Sequence, residues 1–415
     1  MNLYYRKQGA LKATLLSIFI LISIIFSGIF ISPAQSAEKI ESQFISGNGV
    51  SLDTNLYLPN KVPAPAVILA HGFGGTKDSE SELATKLQKH GYVVLTYSAR
   101  GFGKSTGQIN MDSINFEVAD AKKLVDFLQT RTEVQKDQSN QAIVGVSGGS
   151  YGGALALMLT TQELRIKAVA ADITWNDLNQ ALFPQNAAPL GQNSKGNQEV
   201  PVSGPFKKIW AGTFFNLTSL QNSYLGQCGN FSEIWCKSFK NSMAGQFPDQ
   251  TQLELLKESS PSNYLNLDKV PTLLMQGQND SLFPLSESLK NATQILHSSS
   301  SNSVSIFWHA GGHDGGNPDA DQIDQLIIKW FDKYLLGKSI SIPGFIVTDS
   351  KGTLSVTDST AISTQLISKQ SPLNPIFKNL PIDKNLGPFF SPIGGVPAAL
   401  SSLPVSYTHL RAHET

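Results

Sequence analysis

The sequence predicts an α/β fold: a mostly parallel sheet with helices on both faces, an inserted lid, and the start of a β-rich module near the C-terminal end. Three observations carry that expectation. Short, largely apolar runs at 66–69, 92–97, 142–146, 271–277 and 304–308 lead into Gly-bearing turns, the pattern of strands buried on both faces. Segments long enough for a helix separate most of them, as connections between parallel strands require. Between 175 and 265 the alternation lapses into Asn-, Gln-, Gly- and Pro-rich sequence with scattered aromatics, which reads as an insertion between two strands.

Residues 1–37 read as a targeting segment. Arg6, Lys7 and Lys12 precede the uncharged apolar run 13–32, and Ala34-Gln35-Ser36-Ala37 offers small residues for cleavage. The run approaches the roughly 20 residues that span a bilayer, so a cleaved signal peptide and a retained membrane anchor both stay open. Either places the main domain, expected over 38–338, outside the cytoplasm: secreted, periplasmic or membrane-anchored.

The run 66–69 leads into His71-Gly72-Phe73-Gly74-Gly75. Backbone N–H groups at Phe73 and Tyr151 are the expected oxyanion hole, with His71 holding the loop. After 92–97 comes Arg100-Gly101-Phe102-Gly103-Lys104-Ser105-Thr106. Its GKST ending invites a phosphate-loop reading, but the first glycine of that motif would stand at Ser98.

The run 142–146 enters Gly145-Val146-Ser147-Gly148-Gly149-Ser150-Tyr151-Gly152-Gly153, which holds two overlapping G-x-S-x-G patterns. A nucleophile on a sharp strand-to-helix turn needs small neighbours two residues before and after it. If Ser147 held that place, the helix would open on Gly148-Gly149-Ser150-Tyr151-Gly152-Gly153, a poor start because glycine has the most backbone entropy to lose. With Ser150 there, the helix opens at Tyr151 and runs on through the apolar 154–159. Ser150 is the expected nucleophile; a Gly/Ser-rich turn without chemistry is the alternative that the partners must decide.

Those partners follow in the order acid, then histidine. Asp280 stands just beyond the run 271–277, at the carboxyl end of a strand, where open α/β sheets assemble their sites. The run 304–308 leads into His309-Ala310-Gly311-Gly312-His313-Asp314. A serine hydroxyl becomes a useful nucleophile when a neutral imidazole takes its proton, and a carboxylate fixes the tautomer of that imidazole. Ser150, His313 and Asp280 take these roles. His309 is the alternative base, and Asp314 reads as an exposed loop charge. Within the lid, Cys228 and Cys236 either pair in an oxidising compartment or stay free thiols.

On these residues the chain resembles the α/β-hydrolases, and among them the X-prolyl dipeptidyl-peptidase and cocaine-esterase-like serine hydrolases. The resemblance rests on His71-Gly72-Phe73-Gly74-Gly75, Arg100-Gly101-Phe102-Gly103, Gly148-Gly149-Ser150-Tyr151-Gly152-Gly153, Gly277-Gln278-Asn279-Asp280-Ser281-Leu282-Phe283-Pro284 and Gly311-Gly312-His313. These lie within about 41–337, and Ile173-Thr174-Trp175-Asn176-Asp177-Leu178 is similar to the start of that family's lid. Peptidase and esterase members often supply a tyrosine hydroxyl to the oxyanion, where this chain offers H-G-F-G-G. No residue identifies itself as the partner of a substrate's N-terminal amine.

The resemblance also implies a C-terminal β-sandwich. Its start is expected over 339–404, in Pro-, Ser- and Thr-rich sequence with β-like runs at 344–348 and 353–356. The last stretch, 405–415, reads as a translated sequencing adapter, so its His409, His413 and Glu414 are set aside as metal ligands.

At 415 residues the chain has room for one large domain and extras. Its net charge is zero and 15% of its residues are charged, which gives no electrostatic footprint for nucleic acid. The expectation is an exported serine hydrolase cleaving an ester or amide, an X-prolyl peptide bond included, through an acyl-enzyme, with a small-molecule or short-peptide substrate and neither metal nor organic cofactor. An acyltransferase and a catalytically silent binding protein on the same fold are the alternatives.

Overall fold

The computed structural model describes residues 39–184, 204–221, 228–265, 270–298, 303–314, 316–348 and 354–357. The chain divides into two units, Met1–Ala37 and Glu38–Thr415, and every described residue belongs to the second. The targeting segment, residues 358–404 of the C-terminal module and the stretch 405–415 lie outside the described residues.

The strands are β1 (Lys39–Gly47), β2 (Val50–Leu58), β3 (Ala66–Ala70), β4 (Val93–Tyr97), β5 (Val144–Gly149), β6 (Ile166–Asp172), β7 (Thr272–Gly277), β8 (Val304–His309), β9 (Phe345–Thr348) and β10 (Leu354–Thr357). They form one sheet in the order β1-β2-β4-β3-β5-β6-β7-β8-β9-β10. The pairs from β4 to β9 are parallel, while β1 with β2, β2 with β4 and β9 with β10 are antiparallel. Asn48 (φ 46°) and Gly49 (φ 77°) turn β1 into β2, the two left-handed residues that a tight hairpin requires.

Alternate residues of each strand feed opposite faces, as a pleated strand dictates. Ala66, Ile68 and Ala70 of β3 join one core, with Leu124 and Leu128 of helix Ala119–Thr130, Leu155 and Leu159 of helix Tyr151–Gln162, and Ile295 of helix Leu285–Ser298. Val67 and Leu69 join the other, with Leu87 of helix Ser81–Lys89 and Ile327 and Phe331 of helix Ala320–Tyr334. Both faces are therefore covered, and β3 and β4 are buried along their whole length.

The chain winds from β3 out to β4 and returns to the far side of β3 as β5. That reversal opens a crevice at the carboxyl ends of β3 and β5, where the loops after them face one another. Between β6 and β7 the insertion carries the helices Leu178–Leu182, Lys208–Gln221, Glu233–Met243 and Gln250–Glu258. Cys228 and Cys236 are disulfide-bonded within it.

One boundary is corrected. The runs placed at the start of a separate C-terminal module are β9 and β10 of this same sheet. Helix Ala320–Tyr334 acts as the crossover that returns β9 parallel to β8, with Ile306 opposite Phe345 and Trp308 opposite Val347. The change of composition near 338 marks the edge of the sheet, where short strands with one less-covered side need fewer apolar residues.

Candidate active site

Ser150 sits between β5 and helix Tyr151–Gln162 with φ 55° and ψ −117°, a strained conformation for a residue with a side chain. Neighbouring backbone leaves no room for larger residues beside it. A Cβ on Gly152 would lie 2.0 Å from the Ala70 carbonyl oxygen, and one on Gly148 would lie 2.5 Å from that of Gly152. Ser147, the nucleophile of the competing pattern, is an interior residue of β5 and is 2% exposed.

Asp280 and His313 come from the loops after β7 and β8, and these loops are pinned together. Gln278 N–H donates to the His309 carbonyl (2.8 Å), Asn279 N–H to that of Gly311 (3.0 Å), and the Asn279 amide to that of Ala310 (2.6 Å). Glycine makes the approach possible: a Cβ on Gly277 would lie 2.3 Å from the Gly311 oxygen. Asp280 Oδ1 accepts from the Leu282 and Phe283 N–H groups (3.0 and 2.7 Å), which aims Oδ2 at the imidazole.

The three expected residues meet. His313 Nδ1 lies 2.6 Å from Asp280 Oδ2, and His313 Nε2 lies 2.8 Å from Ser150 Oγ. A carboxylate only accepts, so Nδ1 carries the proton and Nε2 is free to accept from the serine hydroxyl. His309 is committed elsewhere: its Nδ1 accepts from Gly311 N–H (3.1 Å) and its Nε2 donates to Asp172 Oδ1 (2.9 Å). Burial pulls its pKa down, but the charge and hydrogen bond of Asp172 together with the charges of Asp319 and Asp280 outweigh burial, and the net shift is upward. Asp314, expected as an exposed loop charge, is half-buried and accepts from the Ser281 N–H and from Ser281 Oγ (2.9 Å), stapling the two loops.

The loop 71–75 borders the serine. A Cβ on Gly72 would lie 3.8 Å from that of Ser150. His71 is buried, receives the Ala99 N–H at Nε2 (2.9 Å) and donates from Nδ1 to the Gly72 carbonyl (2.7 Å). Burial pushes its pKa down to about 4, with the Gly72 carbonyl opposing, so it is a neutral brace for the loop. Tyr151 N–H, first of its helix, has no intrahelical partner. The turn that mimicked a phosphate loop is structural: Ser105 Oγ accepts from Asp53 N–H and donates to the Ser98 carbonyl, while Arg100 forms a bidentate pair with Asp120 (2.6 and 2.7 Å).

Two lid residues were not singled out from sequence as parts of the site. Lys207 Nζ donates to the Ser281 and Leu282 carbonyls, both at 2.7 Å. Burial pulls its pKa down to about 8, against the charges of Asp280, Glu287 and Asp314. Trp210 donates from Nε1 to Ser281 Oγ (3.2 Å), and its ring meets that of His313 edge-on at 5.8 Å. Beneath the lid lies a cavity of about 670 Å³, part of it open to solvent, bordered by Ser150, Phe73, Tyr151, Trp175, Phe214 and Phe283 among others. Among the described residues no cluster of His, Cys, Asp and Glu is arranged to hold a metal ion.

Residues 48–315 match the family described as X-Pro dipeptidyl-peptidase (S15 family). The chain is 28% identical over 141 residues to the quorum-quenching protein AidA of Acinetobacter baumannii, a match covering 33% of this chain and 44% of that protein. It thus spans less than half the length of that curated relative. Among solved structures it is similar to a CocE/NonD family hydrolase from Staphylococcus aureus, with TM-score 0.53 and 15% identity, covering 79% of this chain and 57% of that one. It is also similar to an aminopeptidase from a marine sediment archaeon, with TM-score 0.52 and 15% identity, covering 77% and 59%. At these identities the solved structures show the fold alone.

Proposed function

The chain belongs to the X-Pro dipeptidyl-peptidase (S15) family, and on that premise we propose that it is a serine hydrolase cleaving an ester or amide bond through an acyl-enzyme on Ser150. The observation that carries this reading is the continuous chain from Ser150 Oγ through His313 to Asp280, at 2.8 and 2.6 Å.

The chemistry follows from that chain. Ser150 Oγ attacks the carbonyl carbon as its proton passes to His313 Nε2, and the Asp280 carboxylate stabilises the imidazolium that forms. The developing oxyanion takes the N–H groups of Phe73 and Tyr151. The imidazolium then protonates the departing alcohol or amine, leaving an acyl-serine. Water, deprotonated by the same Nε2, releases the acid and restores the hydroxyl.

The test compares p-nitrophenyl butyrate with an alanyl-prolyl nitroanilide, using Ser150→Ala as control. Turnover of either that is lost in Ser150→Ala supports the reading. Turnover undiminished in that variant would overturn Ser150 as nucleophile.

The proposal includes action outside the cytoplasm. The apolar run 13–32 and the Cys228–Cys236 bond, of a kind that persists in oxidising compartments, support it. Recovery of the expressed protein in the cytosolic fraction with both cysteines alkylatable would contradict it.

A further inference from the structure

The cavity under the lid borders Ser150 and Phe73 and Tyr151, the residues proposed to offer their N–H groups to the oxyanion, but not His313. His313 protonates the leaving group, so the leaving group departs on the imidazole's side. The cavity is therefore on the acyl side of the scissile bond. This deepens the hydrolase reading and rests on it.

Its wall draws on all four lid helices and on the loop after β3. Phe215, on helix Lys208–Gln221, stacks on Phe231 and on Phe239 of helix Glu233–Met243, with ring centres 3.9 and 3.7 Å apart. Phe73 meets Phe214 and Phe231 at 5.1 and 5.6 Å. Among the described residues that line the cavity none carries a charge. Two of its polar groups are spent on the protein itself: the Gln252 amide donates to Ser242 Oγ (2.8 Å) and the Trp175 indole to the Ser259 carbonyl (2.8 Å).

A dipeptidyl acyl group would bring an ammonium into this space. Burying a charge with no partner is prohibitive in an apolar site. The carboxyls of Asp112 and Glu117, near the Tyr151 hydroxyl, do not line the cavity. Burial pushes both up, Glu117 to about 7, so neither is a ready counter-charge. Lys207 points its ammonium at the Ser281 and Leu282 carbonyls and adds no anionic partner.

We infer that the acyl group this enzyme accepts is uncharged and apolar, of hexanoyl or benzoyl size, seated in the aromatic cavity between the lid and Ser150. The apolar wall then selects by buried area, and each added methylene that fits raises kcat/KM by roughly fourfold.

The experiment uses the full chain and p-nitrophenyl esters from acetate to decanoate, with benzoate and the alanyl-prolyl nitroanilide beside them. The expected result is a kcat/KM for hexanoate on the order of a hundredfold above acetate, with the free-amine dipeptide about a thousandfold or more below hexanoate. Ala211→Phe, which projects a ring into the cavity, lowers the hexanoate-to-acetate ratio, and Leu182→Ala moves the optimum to longer chains. A flat series, or preference for the dipeptide, with Ser150 still labelled by a small fluorophosphonate, overturns the inference and leaves the hydrolase standing. Absence of both turnover and label overturns the hydrolase reading and this inference with it.

Discussion

Asp280 Oδ2 meets His313 Nδ1, so in the proposed reaction its carboxylate acts by holding one tautomer and one orientation of the imidazole. Asp280→Asn keeps the size of the side chain and removes that control; its kcat on an ester is expected to fall about 10,000-fold, with the melting temperature little changed. His309→Asn, by contrast, should keep activity within about tenfold, because both its ring nitrogens are already committed to Gly311 and Asp172. His71 supplies a different residue-scale signature. Its folded pKa of about 4 lies below the 6.5 of an exposed imidazole, so unfolding takes up a proton between those values. Its contribution to stability is complete above about pH 6.5 and is lost as pH falls towards 4, on the order of 3 kcal/mol in all. In labelled protein its ring resonances should stay those of neutral imidazole down to about pH 5, and a midpoint near 6.5 would contradict the account. Ser150, Asp280 and His313 were legible because each follows an apolar strand, with glycines around Ser150 and before His313 and Gly277 before Asp280 where the turns require them. Asp314 was read only as an exposed loop charge, because its partner Ser281 lies on another loop and no local pattern announces the staple.

At the scale of elements, the lid is fastened to the acid loop by Lys207 and Trp210. The sequence marked the lid by its loss of strand–helix alternation, and it marked Trp210 only as one aromatic among several. Which of them turns toward His313 depends on how helix Lys208–Gln221 docks, a tertiary contact that composition does not encode. Trp210→Ala should lower kcat/KM about tenfold by loosening the imidazole's surroundings, with a smaller effect on thermal unfolding. Lys207 loses its proton as pH rises through about 8, and the charge-assisted bonds to the Ser281 and Leu282 carbonyls weaken with it. Wild-type activity on an apolar ester is therefore expected to decline above that pH, and Lys207→Met should be lower throughout and lack that decline. An unchanged pH profile in Lys207→Met would remove Lys207 from the account.

At the scale of the molecule, one sheet positions Ser150, Asp280 and His313, and its crevice lies where β3 and β5 diverge toward opposite neighbours. The parallel core was legible because its strands are short, apolar and separated by helices. At the far edge the runs 344–348 and 353–356 were read as β-like but set in a separate module, because β9 is only four residues long and its place follows only from the crossover helix that precedes it. A chain ended at 338 would lack β9 and β10 and leave β8 as an open edge beside a bared core. It should lose roughly 2–4 kcal/mol of stability and aggregate on warming, seen by thermal unfolding and light scattering. In the proposed reaction Ser150, activated through His313 by Asp280, is the nucleophile. The most direct measurement is fluorophosphonate labelling of the wild-type chain, mapped by peptide mass spectrometry. A single adduct on Ser150 that His313→Gln suppresses is expected; an adduct on Ser147, or none on folded protein, would rule out Ser150 as the activated nucleophile.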